Sequence, residues 1–227
     1  HELRTPLASI LGAATVLSKS APVAKDERLS SLAGVVRDEA ERLNNDIQNL
    51  LDATRISSDG IKPHVEWAEP AHIINSAGVA CRHRLSDRRV AIVVPPDLPL
   101  IHVDPILIQQ ALVQIFDNAV KYSESGSPIK VAVRTQDGRL NIDVTDKGAG
   151  LTTTEVAKIC DRFARGERHA ATTSGSGLGL WIASAFIGAN DGKVGATSDG
   201  PGLGTTVSIE LPVSQDALPQ LESGADE

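Results

Sequence analysis

A chain of 227 residues, 41% hydrophobic and 22% charged, is long enough to bury one large core or two smaller ones, and this balance excludes fibrous and wholly disordered classes. A formal charge of -7, with no Lys/Arg stripe interleaved with aromatic residues, disfavours nucleic acid as a partner. No run reaches the roughly 18 apolar residues of a membrane span and no signal peptide is visible, so a soluble chain is expected. Because the chain begins at His1 and contains no Met, we expect an excised piece of a longer protein.

Taken in chain order, Leu3, Leu7, Ile10, Leu11, Ala14 and Leu17 recur at helical spacing, which predicts a first amphipathic helix. Ser20 to Lys25, with Pro22, reads as a turn. From Arg28 to Thr54 the residues Leu29, Leu32, Val36, Ala40, Leu43, Ile47, Leu50 and Thr54 form an a/d seam, with Arg37, Asp38, Glu41 and Arg42 off it. The two segments predict an antiparallel helical hairpin, too narrow to bury both seams alone. A second copy would complete a four-helix bundle, so a homodimer is expected; packing against the rest of the chain is the alternative.

Ser57 to Pro63, with Gly60, is predicted to be the linker. Beyond it, short β-like runs at 90–94, 129–135, 140–145 and 205–211 alternate with helical stretches at 70–85, 105–122 and 178–190. The Asp137-Gly138 pair between two of the runs predicts a hairpin turn and therefore a mixed or mostly antiparallel sheet. The expected class is thus α+β with two domains: a helical hairpin over 1–58, an α/β sandwich over 59–214, and a flexible acidic tail over 215–227.

Chemistry-bearing residues concentrate in the second half. Asp146-Lys147-Gly148-Ala149-Gly150-Leu151 follows a predicted strand, and Gly175-Ser176-Gly177-Leu178-Gly179-Leu180 opens onto a predicted helix. Glycines there admit positive φ and let main-chain N–H groups approach an anion, which a helix N-terminus also favours, although a plain strand-to-helix turn explains the pattern as well. No Gly-Lys-Ser/Thr follows, so the cluster is not a Walker A loop, and the context of a dinucleotide fingerprint is missing. Gln110, Gln114, Asn118 and Lys121 share one face of the helix at 105–122. A solvated surface accounts for that stripe, but it also suits Mg-ATP: the Asn118 amide oxygen is a hard ligand for magnesium and Lys121 a point charge for phosphates. Cys81 and Cys160 lack metal-ligand spacing and read as buried reduced thiols.

Five stretches in order, HELRTPL, QIFDNAVKYS, DKGAGL, DRFARG and GSGLGL, resemble the H, N, G1, F and G2 boxes of sensor histidine kinases of two-component systems. The resemblance extends to about Val213. It likens the hairpin to the dimerisation and histidine phosphotransfer domain and the remainder to the Bergerat (GHKL) ATPase domain. The stretches NLLDATRISSDG, EWAEP and LIHVDPILIQQAL are most similar to the potassium-responsive KdpD group. The resemblance implies that His1 is the nucleophile toward the γ-phosphorus of ATP, that Glu2 orients its proton, and that Thr5 positions water for dephosphorylating a response regulator receiver domain.

It further implies that Asn118 binds Mg²⁺, that Lys121 and Tyr122 contact nucleotide, and that Asp146 accepts from the adenine amino group. Gly148, Gly150, Gly175, Gly177, Leu178 and Gly179 would shape the pocket and a lid spelled HAATTSGS. Phe163 would anchor that lid, Arg165 would meet the γ-phosphate, and Thr205 would hydrogen bond near adenine. Two positions depart from the family pattern: Gln114 stands where an Asn is usual, which bears on the metal site, and Cys160 where a Phe is frequent, which weakens the lid anchor. The implied setting is the cytoplasmic catalytic portion of a sensor that can be membrane-anchored. Another GHKL ATPase, without a phosphoacceptor hairpin, and a degenerate nucleotide-binding pseudokinase are the alternatives.

Overall fold

The computed structural model describes residues 4–58, 60–164 and 176–213, and the chain divides into two compact units, His1–Gly60 and Ile61–Glu227. His1, Glu2, Arg165, Gly175 and the tail lie outside the described residues, as do the side chain of Thr5 and all of the lid stretch but Ser176. Among the described residues no helix is long and apolar enough to cross a membrane.

The first unit is helical: α1 (Arg4–Lys19), α2 (Ala21–Lys25) and α3 (Glu27–Ser58). The stretch read as a turn is itself the short helix α2, because Pro22 falls in its first turn, where its missing N–H costs nothing. Asp26 then starts α3 by accepting from the backbone N–H groups of Arg28 at 2.9 Å and Leu29 at 3.1 Å. That helix runs to Ser58, into the predicted linker. Helices α1 and α3 pack together, and the buried apolar residues of this unit are small: Ala14, Ala40 and Ala53. The larger seam residues stay outside: Leu29, Leu32, Val36, Leu43 and Leu50 are all about half exposed or more.

The second unit contains β1 (Glu66–Ala68), α4 (Pro70–Ala80), β2 (Arg89–Val93), β3 (Ile101–Val103), α5 (Pro105–Tyr122), β4 (Pro128–Gln136), β5 (Arg139–Asp146), α6 (Thr153–Lys158), α7 (Gly179–Gly188), β6 (Lys193–Thr197) and β7 (Thr205–Pro212). The main sheet has the order β2-β4-β5-β7-β6; β2 lies parallel to β4 and every other pairing is antiparallel. Strands β1 and β3 form a separate antiparallel pair. The β4–β5 turn carries Asp137 at φ 52° and Gly138 at φ 70°, the two successive positive values a tight hairpin needs.

Strict alternation along β4, β5 and β7 sends Ile129, Val131, Leu140, Ile142, Val144, Ile209 and Leu211 to one face, where they are buried. Helix α5 packs on β5, α7 on β6, and α4 and α7 against α5. Polar cross-strand pairs occupy the other face: the Thr145 and Thr206 hydroxyls lie 2.9 Å apart, Ser208 donates to Asp143 at 2.6 Å, and Arg134 pairs with Asp143. The result is a two-layer unit with helices on one side of the sheet.

Helix α5 is held at its N-terminus by one buried carboxylate. Asp104 Oδ1 accepts from Ile106 and Leu107 N–H groups at 3.0 and 3.1 Å, while Oδ2 accepts from His64 N–H at 2.8 Å. Its own N–H donates to Asn190 Oδ1 at 2.6 Å, and Asn190 Nδ2 donates to the Phe186 carbonyl at the end of α7. Asp104 thus fastens the entering segment, α5 and α7 to one another. Asp104→Ala is expected to lower the stability of the second unit by about 2 kcal/mol, through the lost cap and the lost acceptor of the part-buried His64 N–H bond. Asp104→Asn, which keeps a capping oxygen, should lose less than half of that in urea unfolding.

Candidate nucleotide site at the junction of α5, α7 and the Asp146 loop

Strand β5 ends in Asp146, which is only 8% exposed. Its carboxylate accepts from Gly148 N–H at 2.7 Å, and the Thr205 N–H also donates to it across the β5–β7 register. Burial raises the Asp146 pKa above the ordinary carboxylate value, and these two N–H groups oppose the shift. The result is a buried acceptor oriented by backbone donors, suited to a ligand that brings an N–H.

The loop after Asp146 is clamped on both sides by main chain. Ala149 N–H donates to the Tyr122 carbonyl at 2.9 Å, Gly202 N–H to the Ala149 carbonyl at 2.7 Å and Gly204 N–H to the Gly148 carbonyl at 3.2 Å. Backbone meets backbone so closely that a Cβ on Gly148 would overlap the Tyr122 carbonyl oxygen, and one on Gly204 the Asp146 carbonyl oxygen. Gly150 has φ 61° as well, and a Cβ there would overlap the Gly200 carbonyl oxygen. The expectation that Gly148 and Gly150 shape a ligand pocket is therefore refined: their missing side chains are used up by this junction. Gly204 and Ser198 were not singled out from sequence. Ser198 Oγ donates to the Gly204 carbonyl at 2.6 Å and accepts from Leu151 N–H at 3.0 Å.

The polar face of α5 meets the start of α7. Gln114, Asn118, Lys121 and Tyr122 are half-buried, whereas Gln110 is exposed. A Cβ placed on Gly179 would stand 2.9 Å from Gln114 Oε1 and 3.6 Å from Asn118 Nδ2, so both amides reach the first residue of α7. Gly177 has φ 70°, Leu178 is buried, and no side chain caps α7. The first-turn N–H groups of α7 are thus aimed at whatever lies over this junction. Lys121 Nζ lies 4.9 Å from the Tyr122 ring centroid.

At the F box Phe163 has φ 64° and is 60% exposed, so no burial supports it as an anchor. Instead the Arg162 guanidinium sits 5.0 Å from the Phe163 ring and 5.2 Å from that of Trp181 on α7. Cys81 and Cys160 are both free, Cys81 buried and Cys160 partly so. Burial raises both pKa values, that of Cys81 to about 12. A cavity of about 460 Å³ lined by Trp67, Glu69, His72, Ile73, Pro105 and Ile106 lies at the opposite, N-terminal end of α5.

Asp117, beside Asn118, has its pKa raised to about 6 by burial, against which the charge and hydrogen bond of Arg84 work. The folded-state value exceeds the ordinary 3.8, so the folded chain holds this proton more tightly than the unfolded one. Its contribution to stability is complete below about pH 3.8 and is lost as the pH rises through about 6. A ¹³C carboxyl titration should place the Asp117 midpoint near 6, and Arg84→Met should move it higher.

Two family models match this chain: the His Kinase A (phospho-acceptor) domain over residues 1–59 and the histidine kinase-, DNA gyrase B-, and HSP90-like ATPase over residues 103–215. Sensor protein KdpD of Escherichia coli is 33% identical over 227 residues, covering 98% of this chain and 24% of KdpD. The sensor-like histidine kinase SenX3 of Mycobacterium tuberculosis is 30% identical over 216 residues, covering 93% of this chain and 52% of SenX3. The chain therefore spans about a quarter to a half of these relatives. Among solved structures, full-length ShkA in complex with AMPPNP superposes with a TM-score of 0.73 at 25% identity, over 96% of this chain and 45% of ShkA. The mycobacterial sensor histidine kinase MprB superposes with a TM-score of 0.58 at 27% identity, over 65% of this chain and 97% of the MprB chain. With both domain types in sequence and these relatives, the chain belongs to the sensor histidine kinases, with KdpD among those it resembles.

Proposed function

We propose that this chain is an autophosphorylating kinase core, which takes the γ-phosphoryl group of Mg-ATP onto His1 and passes it to an aspartate of a response regulator receiver domain. The observation that carries the nucleotide half is the buried Asp146 carboxylate. Two backbone N–H groups orient it in the same unit that turns the Asn118 amide toward the uncapped start of α7. Asp146 would accept from the adenine amino group. A base without that donor leaves the carboxylate desolvated, at about 1–3 kcal/mol, or roughly tenfold or more in affinity. Thr205, paired with Asp146, would add a contact near the base.

The phosphates would lie over α7, within reach of Lys121, Tyr122 and the backbone at Gly177, Leu178 and Gly179. Asn118 fits magnesium in the way that ion is commonly held, by one or two protein oxygens plus phosphates and water. The described residues contain no cluster of three or more His, Cys, Asp or Glu side chains that would form a cage. When bound, the ion neutralises phosphate charge. The neutral ring of His1 would attack while Glu2 holds the proton on its other nitrogen, and Arg165 would meet the developing charge. Thr5 would orient water in the reverse, phosphatase reaction. The exposed seam of α3, with Leu29, Leu32, Val36, Leu43 and Leu50, supports a homodimer closed by a second copy of the hairpin.

Incubation with γ-labelled ATP tests this reading. Label is expected on wild type, stable in alkali and lost in acid, and reduced at least a hundredfold in His1→Ala and Asn118→Ala. Nucleotide binding without any label would instead identify a pseudokinase.

A further inference from the structure

Arg88 lies outside every box of the sequence, yet its side chain is only 6% exposed. It sits in the turn after α4, just ahead of β2. Its guanidinium makes four hydrogen bonds to the far end of α5 and the turn that follows it. Nη2 donates to the carbonyls of Val120 at 3.0 Å and Ser123 at 3.1 Å, and Nη1 donates to Ser127 Oγ at 3.0 Å and Ser123 Oγ at 3.3 Å. Nε faces Asp87 Oδ1 at 3.4 Å. A cation at a helix C-terminus satisfies carbonyls that have no partner within the helix and complements their partial negative charge.

Those carbonyls bracket Lys121 and Tyr122. The Tyr122 carbonyl, between the two that Arg88 holds, is the acceptor for Ala149 N–H and the surface against which Gly148 is packed. A rotation of this last turn would move the acceptor of the Asp146 loop and the Lys121 side chain together. A lysine in place of Arg88 keeps the charge but lacks the planar fork that reaches two carbonyls and two hydroxyls at once.

We propose that Arg88 is a positioning residue for the nucleotide site: by fixing the final turn of α5 through the Val120 and Ser123 carbonyls, it holds Tyr122 where the Gly148-Ala149 loop can dock and Asp146 can face the base. It touches no nucleotide itself. This rests on the nucleotide-binding reading given above, and it adds a residue 30 positions upstream of Asn118 on which that site depends.

The test compares wild type, Arg88→Lys and Arg88→Met by the Kd for Mg-AMPPNP and by amide hydrogen exchange at Ala149 relative to Ile142 and Val144 in β5. Arg88→Lys is expected to remain folded, with nucleotide affinity weakened about fivefold or more. Its Ala149 amide should exchange at least tenfold faster while the β5 amides keep their protection. Arg88→Met should show the same pattern more strongly; if it does not fold, Arg88→Lys alone decides. A folded Arg88→Lys that binds as tightly as wild type with Ala149 still protected would overturn the proposal, as would a loss of protection spread equally over β5, which marks a merely structural arginine. Failure of wild type to bind Mg-AMPPNP would instead overturn the nucleotide reading, and the Ala149 exchange ratio would still read the positioning effect.

Discussion

The site in the second unit depends on one close approach of main chain to main chain. The loop leaving β5 lies between the last turn of α5 and the turn joining β6 to β7, with hydrogen bonds from Ala149, Gly202 and Gly204 crossing the two contacts. Gly148, Gly150 and Gly204 leave no room for a Cβ. Because the backbones touch directly, no side-chain rotamer can absorb a displacement. Asp146 inherits that rigidity: its carboxylate is pinned by the N–H of Gly148 within the junction and by that of Thr205 on β7. A single buried acceptor held this way discriminates between ligands more sharply than the same group on a mobile loop, since the ligand must come to it.

Helix α5 carries the other half of the arrangement and is fastened at both ends. Asp104 caps its first turn and ties it to His64 and Asn190, and Arg88 closes its last turn. Between these points Ile108, Ala111, Leu112, Ile115, Phe116 and Ala119 are buried, which leaves the Gln114, Asn118 and Lys121 face rotationally determined. Gln114 illustrates the tolerance of such a face. Its longer side chain brings Oε1 against Gly179, where the absence of a Cβ gives it room. In the first unit the balance is different: a hairpin whose buried residues are mainly alanines and whose leucines face outward has spent little of its apolar surface on itself.

Much of this was legible from residue pattern. Helix α5 occupies the 105–122 stretch expected from sequence, although the Asp104 cap that starts it emerges only in the fold. Asp137-Gly138 marked the β4–β5 hairpin because a tight turn needs residues that accept positive φ. The ordered boxes singled out Asn118, Asp146 and Gly179, and the resemblance added Thr205; they stand on four elements, α5, β5, α7 and β7. What escaped was either too short or too distant. Strands β1 and β3 have three residues each, fewer than a period-2 pattern needs, and Gly195 breaks the run of β6. The turn expected at 20–25 became α2 because a proline in the first turn permits a helix. Gly204 and Arg88 were invisible because their importance lies in contacts made 32 to 58 residues away in the chain.

Whether the α5–α7–Asp146 junction is one adenine-nucleotide site can be read by titrating Mg-AMPPNP into the ¹⁵N-labelled chain and following its amide resonances. Saturable shifts are expected, concentrated at Asn118 to Tyr122, Asp146 to Gly150, Gly177 to Leu180 and Thr205, with Mg-GTP producing the same shifts only at roughly tenfold or higher concentration. Shifts confined to the cavity around Trp67, His72 and Ile106, or equal responses to the two nucleotides, would contradict it.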